Sequence, residues 1–173
     1  DQILFVSDGA KWIWNRLSRL VDTLQLDSQN VHFLIDFYHA VEHLNKAASL
    51  RKDWTAKVRN KWLNKQRKSL HQGGVEQVIE AIQKLCRGRN SKAIRTQLNY
   101  FINHRNHMHY ALISGKQLPI GSGAIESAIR RVVNLRLKGP SLFWCKPNAD
   151  AMLMLRAFCK SGRWSLFTSL TLS

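Results

Sequence analysis

Two short apolar runs near the start of the chain, each closed by an aspartate, constrain the fold more than any other feature. Residues 3–6 (ILFV) lead to Asp8, and residues 31–35 (VHFLI) lead to Asp36. Mainly apolar runs of this length, bounded by turn residues, are typical of strands buried on both faces. The sequence therefore predicts a β-α-β unit with an acid at the end of each strand. The helix of this unit spans residues 10–24 and has apolar side chains at helical spacing, namely Trp12, Ile13, Leu17, Leu20, Val21 and Leu24.

After Asp36 the pattern becomes helical, and no further strand is predicted. Residues 37–50, 75–85 and 93–113 have helical periodicity, with glycine breaks at Gly73-Gly74 and at Gly88. The sequence therefore predicts an α/β protein that is mostly helical.

A basic amphipathic helix is predicted near the middle of the chain. Trp54, Val58 and Trp62 recur every four residues, so we expect this stripe to be buried. Stacking of the tryptophans on nucleic-acid bases is the alternative. The other positions are expected to face phosphates and include Lys57, Arg59, Lys61, Lys65, Arg67 and Lys68.

A glycine loop separates the last part of the chain from the helices before it. Pro119 and Gly121-Ser122-Gly123 indicate the loop, and Pro147 suits the first turn of a later helix. We divide the chain into residues 1–50 (β-α-β-α), 51–118 (helical) and 119–173 (two helical stretches). The apolar faces of these last helices are predicted to hold Ile125, Ile129, Val132 and Val133, and then Met152, Leu155 and Cys159.

The charge balance points to a polyanionic partner. The 173 residues include 27 Lys and Arg against 11 Asp and Glu, a net charge of +16 spread along most of the chain. The three cysteines are far apart and predict neither a disulfide framework nor a zinc ribbon, which favours a reducing, cytoplasmic setting. No apolar run approaches the roughly 18 residues that a membrane span needs, so no membrane partner is expected.

Acids are scarce, and two of them suggest phosphodiester chemistry. Asp8 ends a strand, and Glu126 lies in the first turn of the helix after the glycine loop. Carboxylates of this kind can hold two divalent ions that activate the attacking oxygen and stabilise the leaving oxygen. Taken singly, Asp8 is better explained as a helix N-cap, and Glu126 as the partner of Arg130 one turn later; only together do they suggest a metal site.

Asp36, His39 and His43 are spaced to share one face of a helix. They could form a metal cluster or a set of orienting hydrogen bonds. The alternative is that Asp36 is an N-cap and that the two histidines are simply packed or exposed.

The motifs around these residues resemble those of bacterial insertion-sequence transposases of the Mutator-like group, in particular the ISKra type. Their order and spacing cover nearly the whole chain. The matching stretches are residues 6–14 (VSDGAKWIW), 34–44 (LIDFYHAVEHL), 118–128 (LPIGSGAIESA), 136–138 (RLK), 143–144 (FW), 155–157 (LRA) and 161–164 (SGRW).

This resemblance implies a ribonuclease H-like fold, interrupted by an all-helical insertion, with an Asp-Asp-Glu metal triad. Asp8 matches the second Asp of the triad and Glu126 the Glu. Asp36 and His39 match an Asp-x-x-His motif that lies between them. The implied cofactor is Mg²⁺ or Mn²⁺, and the implied activity is DNA cleavage and strand transfer. Arg130 and Arg131 join the basic residues expected to contact DNA.

The resemblance also departs from the family at one point. The first Asp of the triad is expected on a strand upstream of the one that ends at Asp8, and Asp1 cannot replace it. The chain is therefore expected to be the C-terminal part of a transposase, inactive alone. In the complete enzyme we expect homo-oligomers on transposon ends and target DNA, associated with the nucleoid. The alternatives are a non-catalytic basic DNA-binding remnant and an unrelated helical RNA-binding protein.

Overall fold

A computed structural model describes residues 2–86 and 91–171, so Asp1 and Gly88 lie outside the described residues. Strand β1 (Ile3–Ser7) pairs in parallel with β2 (Val31–Ile35), with Ser7 opposite Ile35. Helix α1 (Lys11–Thr23) connects them, followed by a 3₁₀ turn at Ser28–Asn30. The predicted β-α-β unit is confirmed, and β1 and β2 form the only sheet in the described part of the chain.

Helices make up most of the protein and continue from β2 to the end of the described residues. Two of them begin at a side-chain cap: Asp36 caps α2, and Thr55 caps α3 by accepting a hydrogen bond from the backbone N–H of Val58. The helices are α2 (Phe37–Ser49), α3 (Ala56–His71), α4 (Val75–Cys86), α5 (Lys92–His104), α6 (Tyr110–Gly115), α7 (Gly123–Ile129), a π-helical turn (Arg130–Asn134), α8 (Leu135–Leu137), α9 (Lys146–Lys160) and α10 (Trp164–Thr171).

The chain forms two compact units, which meet in sequence at Ser122 and Gly123. In the first unit one apolar core runs from β2 through α2 to α6. It therefore includes residues from both of the first two regions into which the sequence was divided. Its fully buried side chains include Leu34, Ile35, Leu44, Leu70, Val78, Ile82, Ile94, Phe101, Met108, Tyr110 and Ile113.

The buried face of α1 is narrower than its apolar pattern predicts. Leu17 is buried and Trp14 packs against the core, whereas Trp12 is 64% exposed. Leu20 and Leu24 are exposed as well. A helix that packs on a two-stranded sheet buries only the one face that contacts the sheet. Apolar residues on its other faces therefore remain in contact with solvent.

The predicted tryptophan stripe, which begins just before α3, is only partly buried. Trp62 packs against the core, Trp54 is half-buried, and Val58 is 47% exposed. The buried positions are instead Gln66 and Leu70, because the second half of the helix carries the face that packs on its neighbours. The prediction that Val58 belongs to the core is therefore wrong.

The stretch of residues 93–113, which has helical periodicity throughout, forms two helices. A 3₁₀ turn at Arg105–His107 ends α5, and α6 begins at Tyr110. The bend brings Met108 into the core and stacks the His107 ring on Trp14 at 4.6 Å. These contacts explain why the apolar pattern continues although the helix does not.

Two predicted apolar faces in the second unit are also more open than expected. Ile125 and Ile129 on α7 are exposed, and so is Cys159 on α9. Val132, Val133, Met152 and Leu155 are half-buried. In the described part of this short unit, no apolar side chain is fully buried.

Candidate functional site

The two strand-end acids lie at the same edge of the sheet. Asp8 and Asp36 directly follow β1 and β2, and the last pair in the register is Ser7 with Ile35. The backbone N–H of Asp36 also donates to the carbonyl oxygen of Ser7 at 2.8 Å, which extends the ladder by one bond. Because the strands are parallel, both carboxyl ends open to the same side, where α/β proteins place their ligands.

Asp8 is exposed and is held in a tight turn. Its Oδ1 accepts hydrogen bonds from the backbone N–H of Ala10 at 2.9 Å and from the Ser7 hydroxyl at 3.3 Å. The alternative role as N-cap of α1 is wrong, since Ala10 occupies that position and makes no side-chain cap bond. Both bonds are made by Oδ1, so Oδ2 of Asp8 is the free oxygen of this exposed carboxylate among the described residues.

The turn at Asp8 requires glycine at the next position. Gly9 has φ +97°, a conformation that other residues rarely adopt. A Cβ there would lie 3.0 Å from Nε2 of His104. The turn and α5 therefore pack as closely as the backbone allows.

Asp36 is buried and uses both carboxylate oxygens. Oδ1 accepts from the backbone N–H of His39 at 2.9 Å and caps α2, while Oδ2 accepts from the backbone N–H of Ser122 at 2.6 Å. Burial alone raises the pKa of this carboxyl, but hydrogen bonds from Ser122 and His39 outweigh it and hold the pKa below its ordinary value. The N-cap interpretation is confirmed, with an added anchoring role that the sequence did not indicate.

The glycine loop lies across the first turn of α2. The carbonyl oxygen of Ile120 accepts a hydrogen bond from the backbone N–H of Phe37 at 3.0 Å. At Gly121 a Cβ would come within 2.7 Å of the Tyr38 ring, so only glycine fits between the loop and the helix. The loop that leads to α7 is thus fixed to the end of β2.

A group of stacked rings contacts the turn at Asp8 through Tyr100. The His43 ring lies flat on Tyr100, with centroids 3.6 Å apart, and its Nδ1 lies 2.7 Å from Oε1 of Gln97. The Tyr100 hydroxyl donates to the carbonyl oxygen of Asp8 at 3.2 Å. His39 approaches Glu42, with Nδ1 and Oε2 3.6 Å apart.

Burial sets the protonation of this ring group. It raises the pKa of Tyr100, and the negative charges of Asp8 and Asp36 add to the effect. Burial lowers the pKa of His43, with the Gln97 hydrogen bond partly opposing it. Near neutral pH the Tyr100 hydroxyl is therefore protonated and can donate to the carbonyl oxygen of Asp8, and the His43 imidazole is uncharged.

This edge does not form a metal site by itself. Within residues 2–86 and 91–171, no three His, Cys, Asp or Glu side chains are grouped to hold a metal ion. The free oxygen of Asp8 suits Mg²⁺, which prefers carboxylate ligands. Asp36 does not suit it, because backbone N–H groups already occupy both of its oxygens.

Glu126 belongs to the second unit. It is exposed in the first turn of α7, and Arg130 and Arg131 are exposed in the π-helical turn that follows. Arg156 on α9 supports this turn by donating to the carbonyl oxygens of Arg131 and Val132. The second unit therefore presents one acid and several cations on a short, braced helix.

The basic residues of α3 are not equivalent. Arg59 is half-buried, and its Nε has no hydrogen-bond partner among the described residues. The other five residues of the predicted set are exposed and available to phosphates, namely Lys57, Lys61, Lys65, Arg67 and Lys68.

Comparison with known proteins adds no relative. No protein-family model matches the chain, and no curated protein or solved structure matches it significantly. In the described part of the chain, no helix is both long and apolar enough to cross a membrane. The functional interpretation therefore depends on the sequence motifs and on the geometry at Asp8 and Asp36.

Proposed function

We propose that this chain is part of a DNA transposase with a ribonuclease H-like core, and that Asp8 takes part in its phosphodiester chemistry. The observation that carries the proposal is the exposed Asp8 carboxylate at the carboxyl edge of two parallel strands, in a chain of net charge +16. An acid at this edge, inside a strongly cationic protein, is suited to act on a polyanion.

The residues of the two units have separate tasks in this proposal. Asp8 and Glu126 would be ligands of Mg²⁺ or Mn²⁺, which when bound supplies an activated oxygen nucleophile and neutralises the leaving oxygen. Tyr100 holds the backbone of Asp8 in place. Asp36 orients the loop before α7 and does not bind metal. The exposed cations of α3, with Arg130 and Arg131, hold the DNA backbone.

A non-catalytic DNA-binding protein is the second candidate. It is favoured by the engagement of both Asp36 oxygens and by the lack of a group of three metal ligands in the described residues. Under this alternative the cations have the same task, and Asp8 only shapes the turn before α1. Homo-oligomers on DNA and association with the nucleoid are part of both proposals.

The two candidates differ in whether DNA strands are broken and joined. Because the resemblance implies that the first Asp of the triad lies upstream of β1, this chain is expected to be inactive alone, and the parent protein in the test is the complete enzyme with the strand that supplies that Asp. The parent is incubated with supercoiled plasmid and a labelled oligonucleotide that has a free 3′-hydroxyl, with Mg²⁺, with Mn²⁺ or with EDTA. A transposase converts plasmid to open circles or joins the oligonucleotide to it only when metal is present. We expect Asp8→Asn and Glu126→Gln to reduce both products to background while DNA binding persists.

Asp22→Asn is the matched control, because Asp22 is an exposed acid on α1. Equal activity in parent and Glu126→Gln would remove Glu126 from the site. A parent protein that binds DNA but never nicks or joins it would support the non-catalytic candidate. Tighter binding to structured RNA than to duplex DNA at the same salt concentration would contradict both.

A further inference from the structure

A groove of about 490 Å³ lies in the first unit between α2 and α3, beside the loop that holds Asp36. Phe37 and Tyr38 line it from α2, and Asn64, Arg67, Lys68 and His71 line it from α3. A volume of this order accommodates one small ligand or one nucleotide unit, whereas a whole duplex cannot enter it.

The α2 side of the groove is aromatic and firmly packed. Phe37 is buried, and its ring meets those of Tyr38 and His71 edge-on at 5.7 and 5.6 Å. Tyr38 remains 57% exposed although its ring is packed against Gly121. An exposed aromatic ring on a rigid base is the feature on which nucleobases stack, and any base can use it.

The α3 side of the groove carries positive charge. Arg67 and Lys68 are exposed, and neither forms an ion pair with the acids of the described residues. The amide of Asn64 adds a donor and an acceptor between them and α2. Phosphate is the group that suits two neighbouring cations beside an aromatic ring.

We propose that this groove binds one unpaired nucleotide of the DNA, with its base on Tyr38 and its phosphate between Arg67 and Lys68. The inference rests on the proposed DNA-binding function and makes it more specific. Tyr38 is two residues from Asp36 and touches Gly121, so the nucleotide lies next to the carboxyl edge of the sheet. The groove therefore selects DNA with a single-stranded end or a displaced base.

The test compares the binding of two labelled DNAs by fluorescence anisotropy. One is a blunt duplex, and the other is the same duplex with an unpaired 3′ overhang. The parent protein is expected to bind the overhang DNA about tenfold more tightly, as the loss of one base–aromatic stack amounts to roughly this factor. Tyr38→Leu is expected to abolish the preference, and Tyr38→Phe to retain it because the ring remains.

A charge-matched pair of double variants tests the phosphate side. Arg67→Ala/Lys68→Ala removes two exposed cations from the groove, and Lys57→Ala/Lys61→Ala removes two from elsewhere on α3. In the first double variant the overhang DNA and the blunt duplex are expected to bind with about equal affinity. The second is expected to weaken both DNAs equally and leave their ratio unchanged.

Three results would overturn the inference: no overhang preference in the parent, an unchanged preference in Tyr38→Leu, or the same ratio in both double variants. In each case the plasmid assay decides separately whether the proposed function stands. If thermal melting shows that Tyr38→Leu does not fold, the double variants alone decide, since they alter exposed side chains. A parent that binds neither DNA would overturn the inference and the proposed function together.

Discussion

The backbone N–H of Ser122 donates to Oδ2 of Asp36 at 2.6 Å, although the two residues are 86 positions apart in the chain. Oδ1 of the same carboxylate caps α2 through the backbone N–H of His39. One buried side chain thus begins a helix and holds the loop that leads to the next unit. Asp36 therefore has a structural role both in the helix and in the loop.

Removal of the Asp36 carboxylate is expected to destabilise the first unit. Asp36→Ala loses a helix cap and an anchoring bond, both made by a buried charged group, and should lower the free energy of unfolding by about 2–4 kcal/mol. Urea unfolding monitored by circular dichroism measures it. Asp27→Ala is the control, because Asp27 caps only the exposed 3₁₀ turn before β2 and should cost much less. Equal losses in both variants would contradict the anchoring role.

The same carboxylate is expected to make the folded protein less stable at acidic pH. Its pKa lies below the ordinary value of 3.8 in the folded protein, so its contribution is present above that pH and is lost as the pH falls through the folded-state pKa. We expect the melting temperature of Asp36→Ala to fall less steeply below pH 4 than that of the parent. Parallel curves for the two proteins would mean that Asp36 titrates alike in the folded and unfolded chain.

Gly9→Ala is expected to strain the turn that presents Asp8. A Cβ at φ +97° costs about 1–2 kcal/mol in the backbone, and it also presses on His104. Gly115→Ala is the matched control, since a Cβ there meets no atom within 4 Å. Chemical denaturation should show a loss for the first variant and none for the second. A stable Gly9→Ala protein would show that the turn can relax.

His107 is expected to make the protein less stable in mild acid. Burial lowers its pKa from 6.5, where its ring stacks on Trp14. The unfolded chain therefore binds this proton more tightly. The stability due to the neutral ring is complete above pH 6.5 and declines as the pH falls toward the folded-state pKa.

The corresponding variant is His107→Phe, which keeps an aromatic ring against Trp14 but cannot titrate. Melting temperatures between pH 5 and 8 should vary less in this variant than in the parent. Some slope should remain, because burial also lowers the pKa of His43 and His104. An identical slope in both proteins would exclude His107 as a source of the pH dependence.

Arg156 is expected to stabilise the helix that follows Glu126. Its guanidinium donates to the carbonyl oxygens of Arg131 and Val132 in the π-helical turn, where regular helical bonding is interrupted. Arg156→Gln should cost about 1–3 kcal/mol in the second unit. Hydrogen exchange of the amides in α7 and α8 should accelerate. Lys160→Gln removes one charge from the same helix and should leave these exchange rates unchanged.

Local patterns in the sequence were sufficient for the strands and for most helices. The apolar runs that end at Asp8 and Asp36 predicted both strands, because strand burial depends on a few adjacent residues. They did not indicate which of several apolar faces would be covered. Trp12 and Val58 were therefore expected inside and are exposed.

The contacts that define the candidate site have no local signal. The hydrogen bond from Tyr100 to the carbonyl oxygen of Asp8 joins residues 92 positions apart. Nothing in the periodicity around either residue indicates the pairing, and the same holds for Ser122 and Asp36. The sequence could identify Asp8 and Asp36 as chemically interesting, but it could not distinguish an exposed carboxylate from one already occupied by backbone N–H groups.

The long separation between Asp36 and Ser122 also bears on the order of folding. Closing a flexible loop of 86 residues costs about 4 kcal/mol of chain entropy, and no single hydrogen bond compensates for that. The contact becomes favourable only after the intervening helices have packed and brought its two ends together. Docking of the loop at Asp36 is therefore a late event in folding. In a partly folded chain, β1 and β2 can already place Asp8 and Asp36 at one edge before the loop is bound there.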